Sequence, residues 1–416
     1  LELIERRGLS LEAAYLEASR RVERADPSAL KLARIALQNF AKADLLLRIH
    51  KLDDLPLRRR CAFRAAFALL LAGGEPGSIE AGLLSGRLRS LISRRSIEKL
   101  EHAISALKPR DRIAVEHSFP PWIIDEVSRF LGLNEAKRLV EACDRRTIWL
   151  RVNELKIKIG EAIKLLRRYD INFQEDKDFP EVFELVNADE IPTAVQKMVE
   201  RGLLVVQDKG SVAVVRALGP SRRLLVLDAA AAPGMKTSMI QQLSENESEV
   251  VAVDASERRL REMRKLLSKL GVRNVHLVLS DSRRIRFSRD FDKVLLDAPC
   301  TNTGAIASDP ALRLSLWRKP QLERYTSLQL ELLRNVLGQL RPGGSLVYST
   351  CSLLSSEGEL VVDQVAQGSL SEEEIAGLPG YPGFKCSRKV RRMYPHVHRT
   401  TGFFISKLIK LSLIHI

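Results

Sequence analysis

From about Gly202 onward, short apolar runs alternate with amphipathic stretches, and four successive runs lead to an aspartate. Run 223–227 leads to Asp228, 250–253 to Asp254, 275–279 to Asp281 and 293–296 to Asp297. Leu260, Met263, Leu267 and Leu270 share one helical face between the second and third runs. A predicted helix over 321–340 stops at Arg-Pro-Gly-Gly, and a fifth strand, 345–349, delivers Thr350-Cys351-Ser352. A last strand, 402–408, completes the pattern. Strands and helices in this alternation predict a doubly wound α/β sheet. Such sheets bind ligands beyond the carboxyl ends of their strands, where these acids fall.

The preceding 200 residues read differently. Leu11, Ala14, Tyr15, Ala18 and Val22 recur at helical spacing, as do Leu30, Ala33, Leu37 and Phe40, and again Leu57, Cys61, Ala65, Ala68 and Ala72. Gly73, Gly74, Pro76 and Gly77 break the run. This predicts an all-α domain over 1–108. Its basic clusters, Arg20-Arg21 and Arg58 to Arg60, read equally as phosphate contacts or as a solvated helix face. A strand at IWLRVNELK, a helix over 160–168 and a strand over 171–173 predict a small α+β domain over 109–200, an RNA platform or a packing adaptor. The α/β domain then occupies 201–410.

A formal charge of +15, from 67 Lys and Arg against 52 Asp and Glu, points to a polyanionic partner. Nucleic acid comes before membrane, because no apolar run reaches spanning length. The five cysteines, at 61, 143, 300, 351 and 386, form no CxxC pair, which argues against a zinc site and fits a reducing cytoplasm. No signal peptide is expected, and the chain begins at Leu1 rather than Met. The terminal LSLIHI reads as translated sequencing adapter, without a role.

Between Asp228 and its helix stand Ala229 to Ala232 and Pro233-Gly234, with no GxGxxG. A loop so tight suits a nucleoside cofactor lacking a pyrophosphate, with S-adenosylmethionine the leading case. An acid at the end of the second strand, Asp254, is where such folds hold a ribose. Past the fourth strand, Ala298-Pro299 delivers the thiol of Cys300, and Cys351 follows the fifth. If those strands are neighbours, two thiols and Asp297 face one crevice. Alkylation of cytosine at C5 needs such a set. A thiolate must add to C6, an acid must serve N3, and a base must remove the C5 proton before the thiol can leave.

The segments DAAAAPGMKT, VVAVDAS, LLDAPCTNTG and YSTCSL together resemble the Sun/Fmu (NOL/NOP/Sun) family of RNA 5-methylcytosine methyltransferases. HSFPPW, RVNELK, VVQDKGS and the closing GFFISKL extend the resemblance over about 111–408, and the first domain resembles a NusB-like RNA-binding domain. The resemblance implies a Rossmann-like class I S-adenosylmethionine-dependent methyltransferase domain preceded by the α+β and all-α domains. It implies Cys351 as nucleophile, Cys300 in product release and Asp297 at the reaction centre. Cofactor contacts would fall on Ala230, Ala231, Ala232, Pro233, Gly234, Met235 and Lys236, with Asp254 on the ribose, Asp281 near the adenine and Asp297 near the reaction centre. Ribosomal RNA is the first expected partner and transfer RNA the second, for a cytoplasmic monomer without a metal or a membrane.

The sequence departs from the family pattern at several places. Ala230 stands for a usual cysteine and Met235 for a glycine, and Thr301-Asn302-Thr303-Gly304 replaces the common Ser-Gly-x-Gly. DPALRLSLW, residues 309–317, is longer than its usual counterpart. Arg259, after Asp254, reads as a solvated helix charge or as support for the site. DNA cytosine methyltransferases compete for the chemistry but would not need Cys351. A non-catalytic RNA-binding assembly factor is the rival from another class, and retention of Asp297, Cys300 and Cys351 argues against it.

Overall fold

The computed structural model describes residues 1–20, 26, 28–74, 83–84, 86–188, 190–366, 370–371 and 373–411. Arg21, Val22, Pro76, Gly77 and 412–416 of the expected features lie outside them. Contacts divide the chain into two compact units, Leu1–Arg145 with Ala305–Pro320, and Arg146–Gly304 with Gln321–Ile416.

The first unit is helical. The apolar stripes read from sequence fall on helices Leu11–Ser19, Ser28–Ile49 and Leu57–Leu71. Ser10 caps the first of these, its hydroxyl accepting from the Ala13 N–H at 3.2 Å. Ala43, Leu46, Leu47, Phe63, Ala66 and Phe67 interlock with Leu88 and Leu100 in one core. Arg64, 3% exposed, is held there by Glu5 at 2.6 Å and Asp44 at 2.5 Å. Arg60, from the second basic cluster, also pairs with Glu5. Cys61 and Cys143 are buried, and burial pushes the Cys143 thiol up to about 12.

Helices Pro121–Leu131 and Leu133–Ala142 belong to this unit, as does the long segment after Gly304. Ala311 and Leu314 join Ile4, Leu11 and Phe40 in a second core, and Trp317 stands edge-on to Phe40 at 5.0 Å. Fully buried Arg313 donates to the Cys143 carbonyl at 2.7 Å and to Asp144 at 2.9 Å. The unusual DPALRLSLW therefore folds as part of the helical unit.

The second unit holds two sheets. Strands β1 (Ile148–Val152), β2 (Phe173–Glu175), β3 (Val182–Leu185) and β4 (Leu204–Val206) form an antiparallel sheet in the order β2-β3-β1-β4. Sequence periodicity placed the start of the α/β pattern at Gly202, yet β4 pairs with β1, Leu150 opposite Val206. A three-residue apolar run carries no signal of which sheet it will join.

The larger sheet contains β5 (Leu225–Asp228), β6 (Glu249–Asp254), β7 (Val275–Leu279), β8 (Phe291–Asp297), β9 (Leu340–Thr350), β10 (Leu378–Pro379), β11 (Arg391–Met393) and β12 (Phe403–Ile409). Its order is β10-β11-β12-β9-β8-β5-β6-β7, parallel from β9 through β7 and antiparallel at the β12 side. The parallel strands are apolar because helices cover both faces. Leu227, Val294, Leu296, Leu346 and Tyr348 pack toward Leu333, Val336 and Val361 on one side. Val226, Leu295 and Val347 pack toward Val212, Val215 and Ile240 on the other. Strand order reverses between β5 and β8, which opens the crevice where such sheets bind ligands. Asp228, Asp254 and Asp297 end the strands around it.

Candidate active site

Strands β8 and β9 are hydrogen-bonded neighbours, with Asp297 opposite Ser349. The two chain segments that leave them carry the thiols. Cys300 is 8% exposed and Cys351 is partly exposed, and their sulfurs lie 3.3 Å apart. The condition set by the sequence, neighbouring strands, is met, and the two thiols share one end of the sheet. The hydrogen bond to Cys351, together with burial, pushes the Cys300 thiol well above its ordinary range. Asn302 turns its side chain onto the pair, its Oδ1 2.9 Å from Cys351 Sγ.

These loops are held tightly. Gly304 donates to the Cys351 carbonyl at 3.0 Å and accepts from the Gly402 N–H at 2.9 Å. A Cβ on Gly304 would stand 2.1 Å from the Gly402 oxygen, so only glycine fits. The carboxylate of Glu357, fully buried, accepts from the Thr301 N–H at 3.0 Å, the Thr301 hydroxyl at 2.5 Å, the Ser352 hydroxyl at 2.5 Å and Gln329 Nε2 at 3.1 Å. One carboxylate thereby ties the residue after each thiol. Glu357 gave no signal in the sequence, where it is a single acid between a polar turn and a helix.

Asp297 faces Lys236, Nζ to Oδ2 at 2.6 Å, and its other oxygen accepts from Ser349 Oγ at 2.8 Å. Burial works to lower the pKa of Lys236, but the Asp297 charge and hydrogen bond outweigh it and hold the ammonium above its ordinary range. The Phe403 ring lies 5.6 Å below that ammonium. The pair presents hydrogen-bond donors and acceptors side by side.

The small-residue loop occupies the neighbouring end of β5. Ala231 and Ala232 donate to the Val253 carbonyl at 2.9 Å and to Asp254 Oδ2 at 3.2 Å. Gly234 adopts φ 102°, and a Cβ there would meet Met263 at 2.8 Å. Met235 opens the following helix. Asp254 is 5% exposed, and its Oδ1 accepts from the Ser256 N–H at 2.9 Å. Arg259 reaches Asp254 at 3.1 Å and also donates to the Ala232 carbonyl, so it braces the loop rather than standing free in solvent. Asp281 is more open, and hydrogen bonds from Arg283 hold its carboxyl below its ordinary range. Small side chains on this loop, the nearly buried Asp254 beside it and the more open Asp281 after β7 supply apolar surface and the acceptors that a nucleoside's hydroxyl and amino groups need. Among the described residues, no group of three or more His, Cys, Asp or Glu is placed to hold a metal.

Asp228 lies beneath the loop. Burial raises its carboxyl from 3.8 to about 6, against the lowering effect of the Thr237 hydroxyl at 2.7 Å. Between these two values the folded chain keeps a proton that the unfolded chain has lost. Stability from this group is therefore intact below 3.8 and falls as pH rises toward 6, by roughly 3 kcal/mol in total. Asparagine can accept from Ala230 and donate to Thr237 in the same shape. Asp228→Asn is expected to raise Tm by several degrees at pH 7.5 and to leave it unchanged near pH 3.5, as scanning calorimetry at both pH values would check. An equal shift at both would show that ionisation is not the cause.

A sheet of this order with its acids and thiols at one end defines a Rossmann-like methyltransferase domain. The family described as 16S rRNA methyltransferase RsmB/F matches residues 215–409, and the ferredoxin-like domain of RsmF/B-like methyltransferases matches 119–192. The ribosomal RNA small subunit methyltransferase B of Yersinia pseudotuberculosis is 30% identical over 337 residues, covering 79% of this chain and 73% of that protein. The chain belongs to the RsmB/F methyltransferase family. A tRNA (cytosine(72)-C(5))-methyltransferase from Pyrococcus horikoshii is 40% identical over 220 residues, covering 52% of this chain and 54% of that protein, so the chain spans about half of that relative's length. The structure of NSun6 from Pyrococcus horikoshii with SFG superposes with a TM-score of 0.63 at 27% identity, covering 71% of this chain and 99% of that one.

Proposed function

We propose that this chain is an S-adenosylmethionine-dependent RNA cytosine-5 methyltransferase acting on ribosomal RNA. The observation that carries the proposal is the pair of sulfurs 3.3 Å apart beside the Lys236–Asp297 pair. The cofactor would rest on Ala230 to Lys236 and Asp254, with Asp281 toward its base, and would supply an electrophilic methyl group. SFG in the archaeal structure, an analogue of that cofactor, supports this choice.

Access divides the thiols: Cys351 is the more open and Cys300 the more buried. Cys351 adds to C6 of the target cytosine, forming a carbon–sulfur bond and shifting electrons to C5. The Lys236–Asp297 pair sits at the base's polar edge, the ammonium donating to an acceptor such as N3 and the carboxylate accepting from an amino group. Once C5 has taken the methyl, Cys300 as its thiolate removes the C5 proton, and the electron pair of that C–H bond restores the C5–C6 double bond and expels Cys351 as its thiolate. Cys300 assists this release. Its thiol is pushed up chiefly by the hydrogen bond to Cys351, a restraint that changes when Cys351 bonds to carbon.

Ribosomal RNA stands first because the Yersinia small-subunit enzyme is matched over most of its length. Transfer RNA is a second reading, favoured by the higher identity to the archaeal tRNA enzyme. In either RNA the base must leave its stack, which favours loops or assembly intermediates. A soluble cytoplasmic monomer is the setting proposed for it; among the described residues, no helix is long and apolar enough to cross a membrane. The test is transfer from radiolabelled cofactor to ribosomal and transfer RNA, with bisulfite-type mapping of the product. Methylation of ribosomal RNA is expected, and binding should weaken steeply with salt as Lys and Arg contacts release counterions. Transfer to tRNA alone would reverse the substrate order, and transfer to neither would sink the proposal.

A further inference from the structure

Asn302 stands where the family pattern has a glycine, and its backbone keeps a glycine-like conformation with φ at 59°. Asparagine enters this region more readily than most residues with a side chain. That side chain is turned onto the thiols. Its Oδ1 lies 2.9 Å from Cys351 Sγ and 3.5 Å from Cys300 Sγ, and its backbone N–H donates to the Cys300 sulfur. One residue thus touches both sulfurs.

We propose that Asn302 holds Cys351 at its attacking position in both protonation states, an inference that rests on the methyltransferase reading above. A carboxamide carries an acceptor and two donors on one short, rotatable group. While Cys351 is a thiol, Oδ1 accepts its S–H, as the structure shows. When the proton leaves, rotation of the amide brings Nδ2 to the same place and its N–H donates to the thiolate. Hydrogen bonds to an ionised partner are the stronger kind, so the amide favours the attacking form without moving the sulfur. Glycine would offer neither contact. Aspartate has the same shape and keeps the acceptor, but sets negative charge against the thiolate.

These properties fix an order. If Asn302 serves only the backbone turn, glycine, which adopts φ near 60° freely, should work at least as well. If it serves the sulfur, reactivity should fall from Asn to Gly to Asp. The test treats the full chain with iodoacetamide, without RNA or cofactor, and follows Cys351 by mass spectrometry; single-turnover methyl transfer is measured alongside. Asn302→Gly is expected to slow Cys351 alkylation about tenfold, the weight of one charge-assisted hydrogen bond. Its kcat should fall by a similar factor, with KM for RNA within about twofold. Asn302→Asp should slow alkylation by roughly a further tenfold. Alkylation of Asn302→Gly at or above the wild-type rate overturns the proposal, as does Asn302→Asp matching wild type. Because alkylation requires no substrate, the predicted order in a chain that transfers no methyl would uphold the Asn302 contact and sink the methyltransferase reading alone.

Discussion

Cys351→Ala is expected to lose methyl transfer by on the order of 10⁴-fold or more, while Cys300→Ala accumulates a protein–RNA adduct that survives denaturing electrophoresis. The two outcomes differ because the proposed mechanism sets the thiols at different points of one reaction. Without Cys351 no bond to C6 forms, C5 stays a poor nucleophile, and nothing downstream proceeds. Without Cys300 the first bond forms and the methyl transfers, but release of Cys351 is slowed. Burial and exposure support the assignment, since the open Cys351 can meet an incoming base and Cys300 is 8% exposed. The sulfurs are only 3.3 Å apart, however, so geometry permits the roles to be exchanged. Gel analysis with labelled RNA decides between the two orders. An adduct with Cys351→Ala and none with Cys300→Ala would exchange the roles, and methylation by Cys351→Ala would rule out this mechanism.

Sequence made the centre of the sheet legible and its edges obscure, for physical reasons. Strands β5, β6, β8 and β9 are covered on both faces, so each reads as an apolar run, and each leads into the acid or thiol that the ligand end of the sheet requires. Strands β10 and β11 have two and three residues, one containing Pro379, and stretches so short show no period. The fate of DPALRLSLW was hidden because Arg313 looks like a surface charge until the carbonyl of Cys143 and the acid of Asp144 are seen around it. At the site, the thiols and acids were visible as motifs. Lys236 was visible only as a member of the cofactor loop, whereas its ammonium rests on Asp297. Arg259 read as a solvated charge or as a support, and its grip on the Ala232 carbonyl depends on a loop and a helix meeting in space. Contacts between residues distant in sequence leave no local pattern to read.

Glu357 is the strongest instance, and its replacement should be costly twice over. Its carboxylate lies fully buried and joins Thr301, next to Cys300, with Ser352, next to Cys351, through Oε2, while Gln329 Nε2 donates to Oε1 and to the Pro299 carbonyl at 2.9 Å. Glu357→Ala leaves several buried donors without an acceptor, at about 1–3 kcal/mol each, so a loss of roughly 3–5 kcal/mol is expected in urea unfolding. It also frees the two thiol loops from each other. A displacement of about 1 Å between reacting groups can cost about 10²-fold, and adduct formation should slow by that order even at temperatures where the variant stays folded. Glu357→Gln provides the contrast. Its oxygen can take the two N–H donors, from Thr301 and Gln329, and its amide can donate to the Thr301 and Ser352 hydroxyls, which rotate to accept. That variant should lose about 1–2 kcal/mol and keep most of its adduct rate. If Glu357→Ala is destabilised yet forms adduct at the wild-type rate, the carboxylate supports the fold alone. If both variants slow equally while only one is destabilised, the negative charge matters to the chemistry, and the staple between the loops does not explain the loss.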